Sequence, residues 1–504
     1  MFSLTKKFYE ASLVSHSKTA VQCGGDIISY KDLSELVSRL SKVLSENGVS
    51  YKDNIGVLLP NDIYFVALIL ASASLGVSIT PLNSTMNQAA VDKAFRLLDT
   101  KHIIGIAATL DAFEFPYITG LKMSFDKEIQ GYQLFSDLIS DTPSGPFYND
   151  SVTGDEPLIM TMTSGSTGEP KPIILTQKNK FDRAKAATEL YNVTTEDVIL
   201  AATPLYHSLA ERLVLMPLMI GATSVLMKTF SPAEWIKAVQ KYKVSFTIAV
   251  SSQLRLIAEV LKSPFLPEIE SLRCIVSSSA LLEPHTKKEL IAKLHCDFHE
   301  CYGTSEIAIA TNLDITNSEQ KLKSVGKAVP GTDVKILKKD GSYAAFGETG
   351  EIICKTRMLF GGYFKKPEAT NDAMHGEYFK TGDLGKLDSD GFLYYLGREK
   401  DLIISGAINI YPNDIDEVVS AFHGVTECAA FAYPDRNLGE IVAVALVVKD
   451  KENFNLKEMR FHCAANLADY QQPLKFFILD HLPKNNMGKL KRYKLSEELA
   501  PHGE

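Results

Sequence analysis

With 504 residues the chain is too long for one compact core, and at roughly one domain per 150 residues it is expected to fold as two to four units. Its 45% apolar and 23% charged composition is that of a soluble globular protein, and a formal charge of −8 without a long run of either sign excludes a basic field for nucleic acid. Seven cysteines without a Cys-x-x-Cys pair, and a start that lacks the apolar core of a signal peptide, point to a cytoplasmic protein with reduced thiols.

Residues 28–49 open with Ser29 and carry apolar side chains at Leu33, Leu36, Val37, Leu40, Val43 and Leu44, the spacing of an amphipathic helix closed by Gly48. Ile55 to Leu59 reads as a buried strand stopped by Pro60 and Asn61. The run from Ile63 to Ile79 is marginally short for crossing a bilayer and contains Ser72, Ser74 and Gly76. A buried helix leading into a strand is the better expectation there. This alternation predicts an α/β fold with parallel sheets, whereas residues 107–155, with Gly and Pro near Pro143 to Pro146, are expected to be irregular.

The stretch Thr163-Ser-Gly-Ser-Thr-Gly-Glu-Pro-Lys171 lies between two apolar runs and is expected to turn between strands. Gly165 and Gly168 let several N–H groups converge on one anion, four hydroxyls add donors, and Lys171 adds charge. A surface loop without ligand is the alternative. The stretch lacks the Gly-Lys-Ser/Thr ending of a Walker A loop and the Gly-x-Gly-x-x-Gly of dinucleotide binders.

Further on, His207 follows a predicted strand, Val198 to Ala201; a lone His there is more often a packed, hydrogen-bonded one than a ligand contact. Val276-Ser-Ser-Ser-Ala280 reads as a strand-end turn. The cluster His295, Cys296, His299 and Cys301 lacks zinc-finger spacing. Lys380-Thr-Gly382 and Ser124-x-x-Lys127 are chance fragments of a β-lactamase pattern whose Ser-Asp-Asn is missing. After Leu396-Gly-Arg-Glu-Lys400 the elements become smaller, with a helix over 415–422 and a strand over 441–448, and the chain closes on Pro483-Lys-Asn-Asn-Met-Gly-Lys489.

In this order, from about residue 28 to 493, the motifs resemble those of the adenylate-forming superfamily: acyl-CoA synthetases, adenylation domains and luciferases. The resemblance implies a large N-terminal domain, 1–399, of α/β subdomains with mostly parallel sheets, and a small mobile α+β lid, 400–504, hinged at Lys400. It also implies roles. Thr163, Ser164, Gly165, Ser166, Thr167, Gly168 and Lys171 hold the phosphates of ATP, with Pro172 where the family usually has Gly. His207 gates the pocket and meets the acyl carboxylate. Ser278, Ser279 and Ala280 lie against the adenine, with serines over 277–279 replacing the family's glycines. Cys301 and Gly303 flank Tyr302, which stacks on the adenine. Thr304 donates to the α-phosphate, and Glu306 with Ser166 holds Mg²⁺. Asp383 and Arg398 contact the ribose, Gly406 faces CoA, and Lys489, rather than the nearby Lys484, bridges the attacking carboxylate and the α-phosphate.

The activity so implied is an acid–CoA ligase for a hydrophobic aliphatic or aromatic acid, since Cys301, Gly303, Ile307, Ala308 and Ile309 are small or apolar. An enzyme that loads the phosphopantetheine of a carrier protein, or a non-catalytic nucleotide-binding homologue, are the alternatives. A luciferase-type oxidase is disfavoured by a C-terminus without Ser-Lys-Leu.

Overall fold

The computed structural model describes residues 3–139, 145–163, 171–263, 269–406, 408–484 and 489–499. Two large sheets form the N-terminal body. One has seven strands, with Asn54–Leu58 at its centre, paired in parallel to His102–Gly105 on one side and Ser78–Pro81 on the other. The other has nine, parallel through Val198–Ala201, Phe246–Val250, Cys274–Ser278 and Asp297–Tyr302 and antiparallel at both ends. The helix Tyr30–Glu46 forms as expected, with the Ser29 hydroxyl accepting from the Asp32 N–H at 3.1 Å.

The apolar run beginning at Ile63 is the helix Ile63–Leu75, followed by the strand Ser78–Pro81. It is apolar on every face because from Phe65 to Leu75 it is buried on every face, packed against the helices Leu4–Val14 and Tyr30–Glu46. Asp62 caps its start, and Gly76 ends it at φ +68°, where a Cβ would press within 2.6 Å of the Tyr51 ring. Among the described residues no helix is long and apolar enough to cross a membrane.

Two features differ from the expectation. Residues 107–155 are not wholly irregular: Lys122–Ser124 and Gln133–Leu134 extend the seven-stranded sheet, too short to leave a periodic signature. A third sheet is built mainly from Thr332–Leu337, Gly350–Thr356, Tyr378–Leu387 and Leu393–Arg398, and all its pairings are antiparallel.

The C-terminal domain has its own five-stranded sheet around Gly439–Val448. Alternate residues of the paired strands face opposite sides. Ala430, Val442 and Val444 pack with Ile415 and Met459 of the helices Pro412–Ser420 and Leu456–Asn466, whereas Phe431, Ile441 and Ala443 pack with Leu495 of the helix Arg492–Leu499. The predicted helix over 415–422 starts three residues earlier, with Pro412 in its first turn. No hydrophobic cluster of the described residues includes side chains from both domains.

In the body, Lys287 of the helix Pro284–Leu294 reaches Glu300 at 2.6 Å, both 2% exposed, and also donates to the Leu322 carbonyl at 2.6 Å. Burial raises the Glu300 pKa, and the lysine opposes that rise. Lys287→Met is expected to lower the unfolding free energy by about 3–5 kcal/mol because it strands a buried carboxylate, and adding Glu300→Leu should restore most of it. Urea denaturation of the single and double variants measures both.

Candidate active site

The strand Pro157–Thr163 and its antiparallel neighbour Lys171–Thr176 bring Thr163 and Lys171 opposite one another, so the stretch is flanked by two paired strands as expected. Ser164, Gly165, Ser166, Thr167 and Gly168 lie outside the described residues. The Lys171 ammonium sits 5.3 Å from the centre of the Tyr363 ring, and the Tyr363 hydroxyl donates to Glu306 Oε1 at 3.2 Å. The end of this loop and Glu306 thus share one aromatic neighbour.

Glu306 follows the strand Asp297–Tyr302 on a tight loop. At Gly303 a Cβ would fall 1.9 Å from the Ala308 carbonyl oxygen, so only glycine lets the loop double back. Ala308 takes φ +62° to complete the turn. Three backbone carbonyls hold the loop through one buried guanidinium: Arg183 donates to Ser305 O at 2.9 Å, to Glu306 O at 2.7 Å, and twice to Met358 O at 2.9 and 3.0 Å. The Phe360 N–H adds a bond to Glu306 O at 2.7 Å.

Tyr302 turns its hydroxyl to Asp383 Oδ2 at 2.8 Å. Asp383, 3% exposed, lies on the strand Tyr378–Leu387, opposite Arg398 of Leu393–Arg398. Arg398 Nε stands 3.4 Å from Asp383 Oδ1, an ion pair whose alignment falls short of a hydrogen bond and leaves both atoms unsatisfied. Lys489 arrives from the C-terminal domain. Burial and the Arg398 charge bring its pKa down to about 8, while Asp383 and Asp401 oppose the fall. Burial in turn raises the Asp383 pKa, against the pull of Arg398 and Lys489. Residues far apart in sequence therefore share one electrostatic centre.

Three more predicted positions stand beyond the ends of strands of the nine-stranded sheet: Thr304 after Asp297–Tyr302, His207 after Val198–Ala201 and Ser279 after Cys274–Ser278. The Thr304 hydroxyl is buried without a partner. His207 precedes the helix Ser208–Ile220, its Nε2 also buried and unpaired, and burial lowers its pKa to about 4, so the ring is neutral near pH 7. Ser279 adopts φ +77°, the left-handed geometry that favours glycine, so this turn keeps its bend although serine replaces glycine. Cys301 is within the influence of the Ser278 and Tyr191 hydroxyls. Lys484 pairs with Glu427, and Lys400 lies 5.9 Å from the Tyr493 ring centre. Gly406 turns at φ +54°.

Sequence reading missed Arg183, Tyr363 and Tyr395, whose ring lies 5.8 Å from that of Tyr302. Arg183 sits in the polar helix Gln177–Leu190, whose pattern gives no sign that this face is buried. The unsatisfied atoms of Asp383 and Arg398, 3.4 Å apart, set an acceptor beside a donor, which fits a ligand with ribose-like hydroxyls.

The chain belongs to the AMP-binding enzyme family: residues 8–364 match that family, and residues 414–489 match the AMP-binding enzyme C-terminal domain. It is similar to the long-chain-fatty-acid–CoA ligase FadD13 of Mycobacterium tuberculosis, with 29% identity over 482 residues that cover 94% of this chain and 93% of the relative. It is also similar to the 2-succinylbenzoate–CoA ligase of Listeria monocytogenes, 28% identical over 96% and 97% of the two chains. The solved o-succinylbenzoate CoA synthetase of Bacillus subtilis, in complex with its acyl-adenylate intermediate, superimposes with a TM-score of 0.85 at 26% identity over 97% of both chains.

The ε-carbon resonance of Lys489 is expected to titrate near pH 8 in the ligand-free protein. Asp383→Asn should move that midpoint lower, because it removes a charge that favours the ammonium. Carbon-detected NMR across pH 6–11, roughly spanning the ordinary and shifted lysine values, reads both.

Proposed function

We propose that this chain is an AMP-forming acid–CoA ligase, which joins a carboxylic acid to ATP as an acyl-adenylate, releases pyrophosphate, and passes the acyl group to the thiol of CoA. The observation that carries the reading is the placing of Lys489 in one electrostatic centre with Asp383 and Arg398.

Asp383 accepts the ribose hydroxyls of ATP through its open oxygen, and Arg398 donates alongside. Tyr302, held by Asp383, presents its ring to the adenine, with Ser278, Ser279 and Ala280 on the adjoining turn. Thr304, Lys171 and the hydroxyl-glycine loop over 163–168 hold the phosphates. Glu306, with Ser166, would hold a Mg²⁺ ion, a hard cation that neutralises charge on departing pyrophosphate. Lys489 aligns the acid's carboxylate with the α-phosphorus and offsets negative charge as the acyl–phosphate bond forms and the bond to pyrophosphate breaks. His207, neutral, meets the carboxylate as a hydrogen-bonding partner rather than as a counter-ion. Positioning and charge neutralisation dominate, because phosphoryl chemistry asks little covalent help of the protein.

We divide the chain at 399/400, with Lys400 as the hinge of the lid. Turning about it withdraws Lys489 and brings the Gly406 turn to the site, where the CoA thiol displaces AMP. The family's relatives are named for fatty, aryl and sulfonated acids. Here the apolar residues Ile307 and Ile309 beside Cys301 favour an acid with an aliphatic or aromatic body. Seven unpaired cysteines favour a cytoplasmic setting.

Lys489→Ala is expected to slow acid-dependent pyrophosphate exchange by about 100- to 1,000-fold, the usual loss when one transition-state charge partner is removed. Thioester formation from pre-made acyl-adenylate should be largely retained. Supplying CoA in one reaction and a holo-carrier protein in another identifies the acceptor; equal loss in both half-reactions would overturn the role given to Lys489.

A further inference from the structure

One side-chain amide links the C-terminal domain to the body, and both of its ends are used. Asn413 stands in the first turn of the helix Pro412–Ser420, and its Nδ2 donates to the Leu396 carbonyl at 3.1 Å. Its Oδ1 accepts from the Arg492 guanidinium at 3.2 Å. The amide fits in one sense only. A carbonyl oxygen accepts and a guanidinium donates, so turning the amide over would lose both contacts.

Each end leads to the site. Leu396 lies on the strand Leu393–Arg398, two residues before Arg398, which that strand sets opposite Asp383. Arg492 follows Lys489 by three residues and opens the helix Arg492–Leu499. Its side chain, 13% exposed, donates to the Ala430 carbonyl at 2.6 Å and pairs with Asp416 of the helix that carries Asn413. The Lys491 N–H donates to the Pro483 carbonyl at 2.8 Å, and Lys484 and Leu490 form a β-bridge. Lys489 is thus bracketed by neighbours fixed within the C-terminal domain, and Asn413 ties that domain to the strand of Arg398.

The two contacts of Asn413 differ in what a turning lid would do to them. Leu396 precedes the division at 399/400 and Asn413 follows it, so rotation about Lys400 parts them, whereas Arg492 lies within the lid and turns with it. The pair Lys323–Glu417 also crosses, but both side chains lie largely in water, where such a pair contributes little. A bond made in only one of two orientations shifts their populations by its own strength. Resting on the ligase reading and its hinge, we propose that Asn413 is a positioning residue for adenylation: its amide favours the lid orientation that brings Lys489 to Asp383 and Arg398, and it is not needed for the thioester step.

Two variants of the full-length protein test this. Asn413→Asp keeps an acceptor for Arg492 but sets an oxygen against the Leu396 carbonyl, and Asn413→Ala removes the amide without adding charge. Each is expected to slow acid-dependent pyrophosphate exchange by about 10-fold in kcat, the worth of a well-placed hydrogen bond. Thioester formation from pre-made acyl-adenylate should be retained. The ε-carbon resonance of Lys489 in the ligand-free protein reads the lid without any turnover: its midpoint should rise from about 8 toward the ordinary 10.5 as the ammonium leaves the buried centre. Unchanged exchange, equal slowing of both half-reactions, or a midpoint that stays near 8 in both variants overturns the proposal and leaves the ligase reading standing. If circular dichroism shows one variant unfolded, the other decides. Unfolding of both also overturns it, since an amide that acts across the hinge is dispensable for folding either domain. A wild type that exchanges with no acid would instead remove the ligase reading, and the lysine midpoint would then decide alone whether Asn413 holds the lid.

Discussion

Everything in this structure turns on one cation brought to a carboxylate from another domain. Asp383 is buried, so its charge has to be answered locally; Arg398 supplies part of the answer from the paired strand, and Lys489 supplies the rest from beyond the C-terminal sheet. The arrangement is costly for the lysine, whose charged form is disfavoured by burial and by Arg398. A protein keeps such a mismatch where a ligand's charge completes it. Phosphate oxygens would add to the counter-charge that Asp383 and Asp401 already give the ammonium.

The rest of the body is arranged to keep that point still. Arg183 gathers three carbonyls so that the Glu306 loop cannot drift, Gly303 allows the loop to fold against Ala308, and the Tyr302 hydroxyl locks the ring to Asp383. The helix Ile63–Leu75, buried from Phe65 onward, and the parallel sheets behind it supply the rigid base. Catalytic groups on such a base lose little entropy when the substrate arrives.

Much of this was legible before any coordinate. The alternation of periodic helices with apolar strands carried the α/β class, and the order of short motifs carried the family, because each motif pairs turn-forming residues with the side chains that do chemistry. What stayed hidden was hidden for physical reasons. Lys122–Ser124 and Gln133–Leu134 are shorter than the periodicity that would reveal them. Arg183 and Arg212 look in sequence like solvated charges, since burial of a cation depends on partners distant along the chain. The joining of Lys489 to Asp383 spans two domains, and no local pattern encodes such a meeting.

The separation of the hydrophobic clusters by domain carries a dynamic meaning. What joins the two parts includes polar contacts such as Asn413 Nδ2 to the Leu396 carbonyl at 3.1 Å and the exposed pair Lys323–Glu417, contacts of a kind that water and salt readily replace. Among the described residues no apolar cluster spans the two parts, so their seam is held as a latch rather than as a weld. Ionic strength then becomes a dial on that hold, since added salt weakens exposed pairs and leaves apolar packing untouched.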